Sequence, residues 1–203
     1  GAAGHLGSEL VGQLLQSDFE VVGIDKLDYG GEGLLAFYSH PRFEFRKMDL
    51  LQGFLDNFDD VDTIVHLAAL TGPVCDRSTD AAWAINHGVT AEICDAVKET
   101  GVKLIFASTC SNYGTLEGKA TESSPLKPIG TYAETKVDAE MLVAQLGDRA
   151  VILRFATLAG ISPRPRMDTL LNQWAYEAVS RDVIECYQPE AWRPFIHVAD
   201  ASE

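Results

Sequence analysis

The stretch Gly1-Ala2-Ala3-Gly4-His5-Leu6-Gly7 sets three glycines three residues apart, directly ahead of a helix-like run, Gly7–Gln16. Glycine has no Cβ, so a turn built this way lets backbone amides approach a diphosphate closely. The helix start beyond it adds a partial positive charge. The same spacing also fits an ordinary tight turn, and the motif decides nothing alone. Such a turn normally follows a strand of about five or six apolar residues, which in the order 3-2-1-4-5-6 lies mid-sheet. Nothing precedes Gly1, and the chain stops soon after Phe195-Ile196-His197-Val198-Ala199-Asp200. The expectation is therefore a fragment, cut at both ends, with a slot where that strand belongs and a site that is recognisable but not functional.

Beyond the glycines, apolar runs alternate with helix-like segments. Strands are expected at Phe19–Ile24, Phe43–Met48, Thr63–Leu67, Lys103–Ala107 and Ala150–Phe155, and helices at Gly7–Gln16, Ala81–Thr100 and Tyr132–Leu146. This is the pattern of an α/β fold, a doubly wound parallel sheet of Rossmann type. Residues 114–130 have prolines and glycines without periodicity and read as a loop. After Gly160 the texture changes, with Ile161–Arg166 leading through a helix to a short strand near Val183–Tyr187. Two regions follow: 1–160 as a dinucleotide-binding domain lacking its first strand, and 161–203 as part of a substrate-binding lobe interleaved with it.

The 203 residues suffice for one well-buried core, and 46% of them are apolar, as in ordinary globular proteins. A net charge of −14 opposes non-specific binding to nucleic acid or anionic membranes. No apolar run reaches the ~20 residues of a membrane span. Cys75, Cys94, Cys110 and Cys186 show no metal-ligand spacing, so reduced thiols in a cytoplasmic protein, and no metal, are expected.

Asp25 ends the strand after the glycines, 18 residues past Gly7. A carboxylate there binds both ribose hydroxyls of NAD and repels the 2′-phosphate of NADP, although a solvated aspartate also ends many strands. Asp49 has a similar but weaker claim. His66-Leu67-Ala68-Ala69 closes another strand with small residues that admit a flat ligand, and His66 itself reads as a satisfied core histidine. In Tyr132-Ala133-Glu134-Thr135-Lys136 the phenol and ammonium share a helix face at i and i+4. An ammonium there stabilises phenolate and turns tyrosine into an acid/base group. Ser108-Thr109-Cys110-Ser111-Asn112-Tyr113-Gly114 supplies hydroxyls after a buried strand, or is simply a polar turn. Chance explains each motif singly and fits their common order poorly.

Together these residues resemble the extended short-chain dehydrogenase/reductase family, in its nucleotide-sugar epimerase/dehydratase branch of UDP-glucose 4-epimerase-like enzymes. The resemblance runs from Gly1 to Asp200 through Gly1-x-x-Gly4-x-x-Gly7, Asp25, Asp49-Leu50, His66–Ala69, Asn86, Ser108–Gly114, Tyr132-x-x-x-Lys136, Arg154 with Gly160, and Arg193–Val198. It implies NAD as cofactor, held by Gly1, Gly4, His5, Leu6, Gly7, Asp25, Asp49, Leu50, Leu67, Ala68, Ala69, Tyr132 and Lys136. It implies catalysis by Tyr132 as acid/base, Lys136 as its modulator and ribose ligand, and Thr109 on the reacting sugar hydroxyl. Asn172 and Arg193 are implied contacts of a nucleotide-sugar substrate, Asn86 a support of the active-site helix, and a homodimer the assembly.

Dehydratases of the branch typically carry Asp-Glu directly after that threonine; here Cys110 and Ser111 stand there. Without those carboxylates the resemblance favours a 4-epimerase working through a transient 4-keto sugar. The alternatives are a nucleotide-sugar dehydrogenase, reductase or dehydratase of the same family, or a non-catalytic NAD-binding protein.

Overall fold

Three glycines and a leucine-rich stripe begin a helix two residues before the expected Gly7. In the computed structural model, which describes residues 1–54, 60–116 and 118–203, α1 runs His5–Gln16. Two compact units follow from the contacts, 1–47 with 155–203, and 48–154.

In the first unit, α1 buries Val11 and Leu15 with Ala3 and Leu34, and Phe37, Phe43 and Phe45 pack around them. Strands β1 (Val21–Asp25) and β2 (Phe43–Lys47) are parallel, with Val21 opposite Phe43 and Asp25 opposite Lys47. The β1 strand starts at Val21 rather than Phe19, whose side chain is exposed after Asp18 takes a left-handed turn.

The second unit holds β3 (Thr63–His66), α2 (Pro73–Arg77), α3 (Thr79–Ala82), a π-turn at Trp83–Gly88, α4 (Val89–Thr100), β4 (Lys103–Thr109), α5 (Thr131–Ala144) and β5 (Ala150–Phe155). Its strands are ordered β3-β4-β5, with β3 and β4 parallel. Val89, Ile93 and Val97 of α4 meet Leu104 and Phe106 of β4 and Ala139 and Val143 of α5 in a dry core. The helix expected over Ala81–Thr100 is thus interrupted, and the wider turn carries Asn86 inward, where it is buried. The expected loop 114–130 has no regular element among its described residues; residue 117 lies outside them.

The first unit is completed by β6 (Thr157–Ala159), α6 (Leu170–Arg181), β7 (Phe195–His197) and α7 (Val198–Ser202). The strand expected near Val183–Tyr187 is not formed. Asp182 closes α6 in a left-handed conformation, and the residues beyond it are exposed, with no sheet to join. The strand lies later, at β7, parallel to β6. Gly160, after β6, has φ +101°, and a Cβ there would overlap the His197 ring, so only glycine serves.

The strands fall in three hydrogen-bonded sets, β1-β2, β3-β4-β5 and β6-β7, rather than one sheet.

Two substitutions separate core from surface. Leu104→Ala is expected to cost about 2–5 kcal/mol, whereas Val151→Ala, on the exposed side of β5, should cost less than about 0.5 kcal/mol. Urea unfolding of both variants measures the contrast.

Candidate functional site

In the first unit, Gly4 is the N-cap of α1, and its amide donates to the Gly1 carbonyl (3.2 Å). No side chain caps the helix among the described residues, so its first-turn amides stay available to an outside acceptor. A Cβ on Gly7 would collide with the Gly1 and Ala2 carbonyl oxygens. An uncapped helix start behind a turn that excludes side chains fits a diphosphate. Asp25 closes the arrangement, with Oδ2 accepting from the Ala3 amide (3.0 Å) and Oδ1 from the Leu27 amide (2.8 Å). Oδ1 keeps a lone pair for a ribose hydroxyl.

Three further candidates belong to this unit. The His5 ring is buried, its Nδ1 2.8 Å from Ser162 Oγ and 3.3 Å from the Arg164 carbonyl. Burial lowers its pKa, so only the backbone of His5, with that of the half-buried Leu6, is placed for a ligand. Asn172 accepts from the Gly160 amide and donates to the Gly160 and Arg166 carbonyls, which spends both its donors and leaves one acceptor lone pair. Arg193 is exposed on the segment leading into β7.

In the second unit, Thr109 ends β4 and is buried; its Oγ1 accepts from the Ser111 amide (3.1 Å), capping a 3-10 turn over Cys110–Tyr113. Tyr132 and Lys136 sit one turn apart near the start of α5. That start is anchored twice. Asp76 on α2 accepts from the Thr131 amide (3.2 Å), and Asn86 donates to Thr135 Oγ1 (3.1 Å) while bonding both the N–H and C=O of Leu70. Asn86 therefore ties the segment after β3 to the first turns of α5. Leu67, Ala68 and Ala69 follow β3 half-buried, and Asp49 caps a turn at Leu51 beside the half-buried Leu50. His66 is buried against Thr90 Oγ1, and burial, then Lys136, hold its pKa well below the usual range. Cys110 is half-buried.

Lys136 is only 2% exposed, with Nζ 3.9 Å from the centroid of Phe106. Burial drives its pKa down to about 7, against a smaller upward pull from Glu140.

Sequence reasoning passed over Glu140, Asn112 and Asp76. Glu140 had one visible signal, its place four residues after Lys136 on the same helix face. Among the described residues no cluster of His, Cys, Asp and Glu could hold a metal ion, and no helix is long and apolar enough to cross a membrane.

The profile of the NAD dependent epimerase/dehydratase family matches residues 1–203. An uncharacterized UDP-glucose epimerase, YtcB, of Bacillus subtilis (strain 168) is 34% identical over 184 residues, 82% of this chain and 58% of the relative. The chain thus spans little more than half that relative's length. A UDP-glucuronic acid 4-epimerase from Bacillus cereus, solved with UDP-glucuronic acid and NAD, superposes with a TM-score of 0.87 at 27% identity, covering 99% of this chain and 68% of that one. A dTDP-glucose 4,6-dehydratase from Bacillus anthracis str. Ames, solved with NAD, gives 0.86 at 26% identity, covering 100% and 67%. The parallel strands and helices are accordingly those of the Rossmann-like fold of these enzymes.

The low pKa of Lys136 carries a sign. The unfolded chain holds the lysine proton up to about pH 10.5, whereas the folded state releases it near 7. The burial penalty is thus complete below about pH 7 and fades as pH rises, so stability increases across that window. Lys136→Met should be more stable than the parent near pH 7, the gap closing towards about pH 10. Urea unfolding across that range reads it, and a constant gap would contradict the desolvation of Lys136.

Proposed function

The chain belongs to the NAD dependent epimerase/dehydratase family, and on that premise we propose that the whole protein is a nucleotide-sugar 4-epimerase working through a transient 4-keto sugar. The observation that carries the choice is the turn after Thr109. Cys110–Tyr113 contains no carboxylate, whereas elimination of water needs an acid and a base at the sugar. Glu140, whose carboxylate meets Asn112 of this turn, is clamped by Arg154 and only 5% exposed, and is no mobile proton carrier. A 4-epimerase needs less, since one acid/base group serves both directions.

NAD, when bound, supplies the hydride acceptor and donor. The residues present fit it: Gly1, Gly4 and Gly7 with the first-turn amides of α1 at His5 and Leu6 for the diphosphate, and Asp25 for a ribose. Asp49, Leu50, Leu67, Ala68 and Ala69 complete the cofactor set implied by the resemblance. Tyr132 takes the proton from O4 of the sugar and returns it. Lys136, when cationic, favours the phenolate and binds the ribose of the nicotinamide. Thr109, its Oγ1 already accepting from Ser111, has its hydroxyl proton to donate towards the sugar oxygen. Arg193 suits the phosphates of a nucleotide sugar through its planar fork, and Asn172 keeps one lone pair for the same ligand. A cytoplasmic homodimer belongs to this proposal.

The dehydratase superposes almost as well as the 4-epimerase, so dehydration is the second reading. Proton NMR of the whole protein with UDP-hexoses separates the two. A mixture of 4-epimers is expected, whereas a 4-keto-6-deoxy sugar, or no reaction with any 4-epimeric pair, would contradict the proposal. Tyr132→Phe should cut turnover by about 10³-fold while NAD stays bound; unchanged turnover would remove tyrosine from its role. Gly7→Ala should abolish NAD binding, read by the absorbance of cofactor that co-purifies.

A further inference from the structure

Glu140 is a buried acid that the proposed chemistry does not use. It stands four residues after Lys136 and eight after Tyr132, on the same face of α5. Its Oε2 accepts from Arg154 Nη2 (2.7 Å) and Nε (3.1 Å), and its Oε1 from Arg154 Nε (3.0 Å) and Asn112 Nδ2 (2.7 Å). Asn112 is fully buried in the turn after Thr109, and its amide also donates to Ser108 Oγ (3.0 Å). Arg154 on β5 donates onward to Tyr113 Oη (2.9 Å) in that turn and to the Glu122 carbonyl (3.2 Å). One carboxylate thus joins the Tyr132–Lys136 helix, the residues either side of Thr109 and the strand behind them.

A surface ion pair would do little of this. Here both partners are largely withdrawn from water, which makes the pair costly to build and weak as a reason for stability. Its geometric effect is larger. With both carboxylate oxygens committed, α5 cannot slide or rotate relative to the Thr109 turn without breaking several charge-assisted hydrogen bonds at once.

Resting on the epimerase reading, we infer that Glu140 is a positioning residue that, through Asn112 and Arg154, fixes Thr109 in register with the helix bearing Tyr132 and Lys136. Glu140 also supports the cationic form of Lys136. The groups around that ammonium are Glu140 of α5, His66 of β3, whose pKa is held well below the usual range, and the Phe106 ring of β4. Glu140 is the anion in that set.

The test uses the whole protein with its bound cofactor. Glu140→Gln keeps the shape and removes the charge; Glu140→Met with Arg154→Met replaces the pair by apolar groups of similar size, a change proteins commonly tolerate. The expected result is a folded double variant whose kcat falls about 100-fold with KM within about threefold. In Glu140→Gln, the Lys136 titration, followed by NMR of labelled lysine side chains and assigned with Lys136→Met, should move to lower pH by about one unit. The NMR readout needs no turnover, so a protein that epimerises nothing would defeat the epimerase reading and leave this one standing. A folded double variant with wild-type kcat, an unmoved lysine titration, or failure of both variants to fold would overturn the proposal, the last because the cluster would then hold the fold rather than the site.

Discussion

An ammonium group buried almost completely against an aromatic ring is an expensive feature, and the unit spanning 48–154 is arranged around it. Lys136 reaches the face of Phe106, a residue with no exposed surface, in the middle of the apolar layer formed by α4, β4 and α5. Ring and carboxylate recover only part of the hydration lost, which is why the lysine sheds its proton near neutrality. The carboxylate that helps is itself buried and demands partners, found in Arg154 and Asn112. One costly charge therefore propagates into a chain of fixed contacts from α5 to β5 and to the turn after β4. A purely structural helix would have no reason to carry it, and rigid placement of reacting groups supplies that reason.

The unit of residues 1–47 and 155–203 answers a different constraint. An anionic ligand at a helix start requires backbone donors without competing side chains, and the Gly1 and Ala2 carbonyl oxygens leave no room for a Cβ at Gly7. Asp25 serves two ends, bracing the turn through Ala3 and ending β1 with an acceptor lone pair to spare on Oδ1. Behind it, His5 with Ser162 and Arg164, and Ser8 with Arg164, form hydrogen bonds between residues far apart in sequence that hold a later segment of this unit against its opening helix.

Much of this was legible from residue order alone. Alternating apolar runs placed the first five strands within two residues at each end, because buried parallel strands leave few alternatives to Val, Ile, Leu and Phe. Spacing put Tyr132 and Lys136 on one face, and β1 ended at Asp25 as expected. What escaped was whatever depends on long-range partners. The ring of His5 meets Ser162, 157 residues away, a pairing that no local pattern announces. Glu140 drew no reading from the sequence, and only its distant partners Arg154 and Asn112 single it out. Val183–Tyr187 has the composition of a strand and lacks a neighbour to pair with, while Phe195–His197, with a similar local pattern, has β6.

The central claim is that a sugar is oxidised and reduced again at one carbon by bound NAD, with one tyrosine carrying the proton and no elimination. The most direct measurement follows the hydrogen on that carbon, using a UDP-hexose deuterated at C4 and the whole protein. The account predicts a 4-epimeric product with deuterium still at C4 and none exchanged with solvent. Deuterium at C6 together with loss of the 6-hydroxyl, or washed out into water, would contradict it.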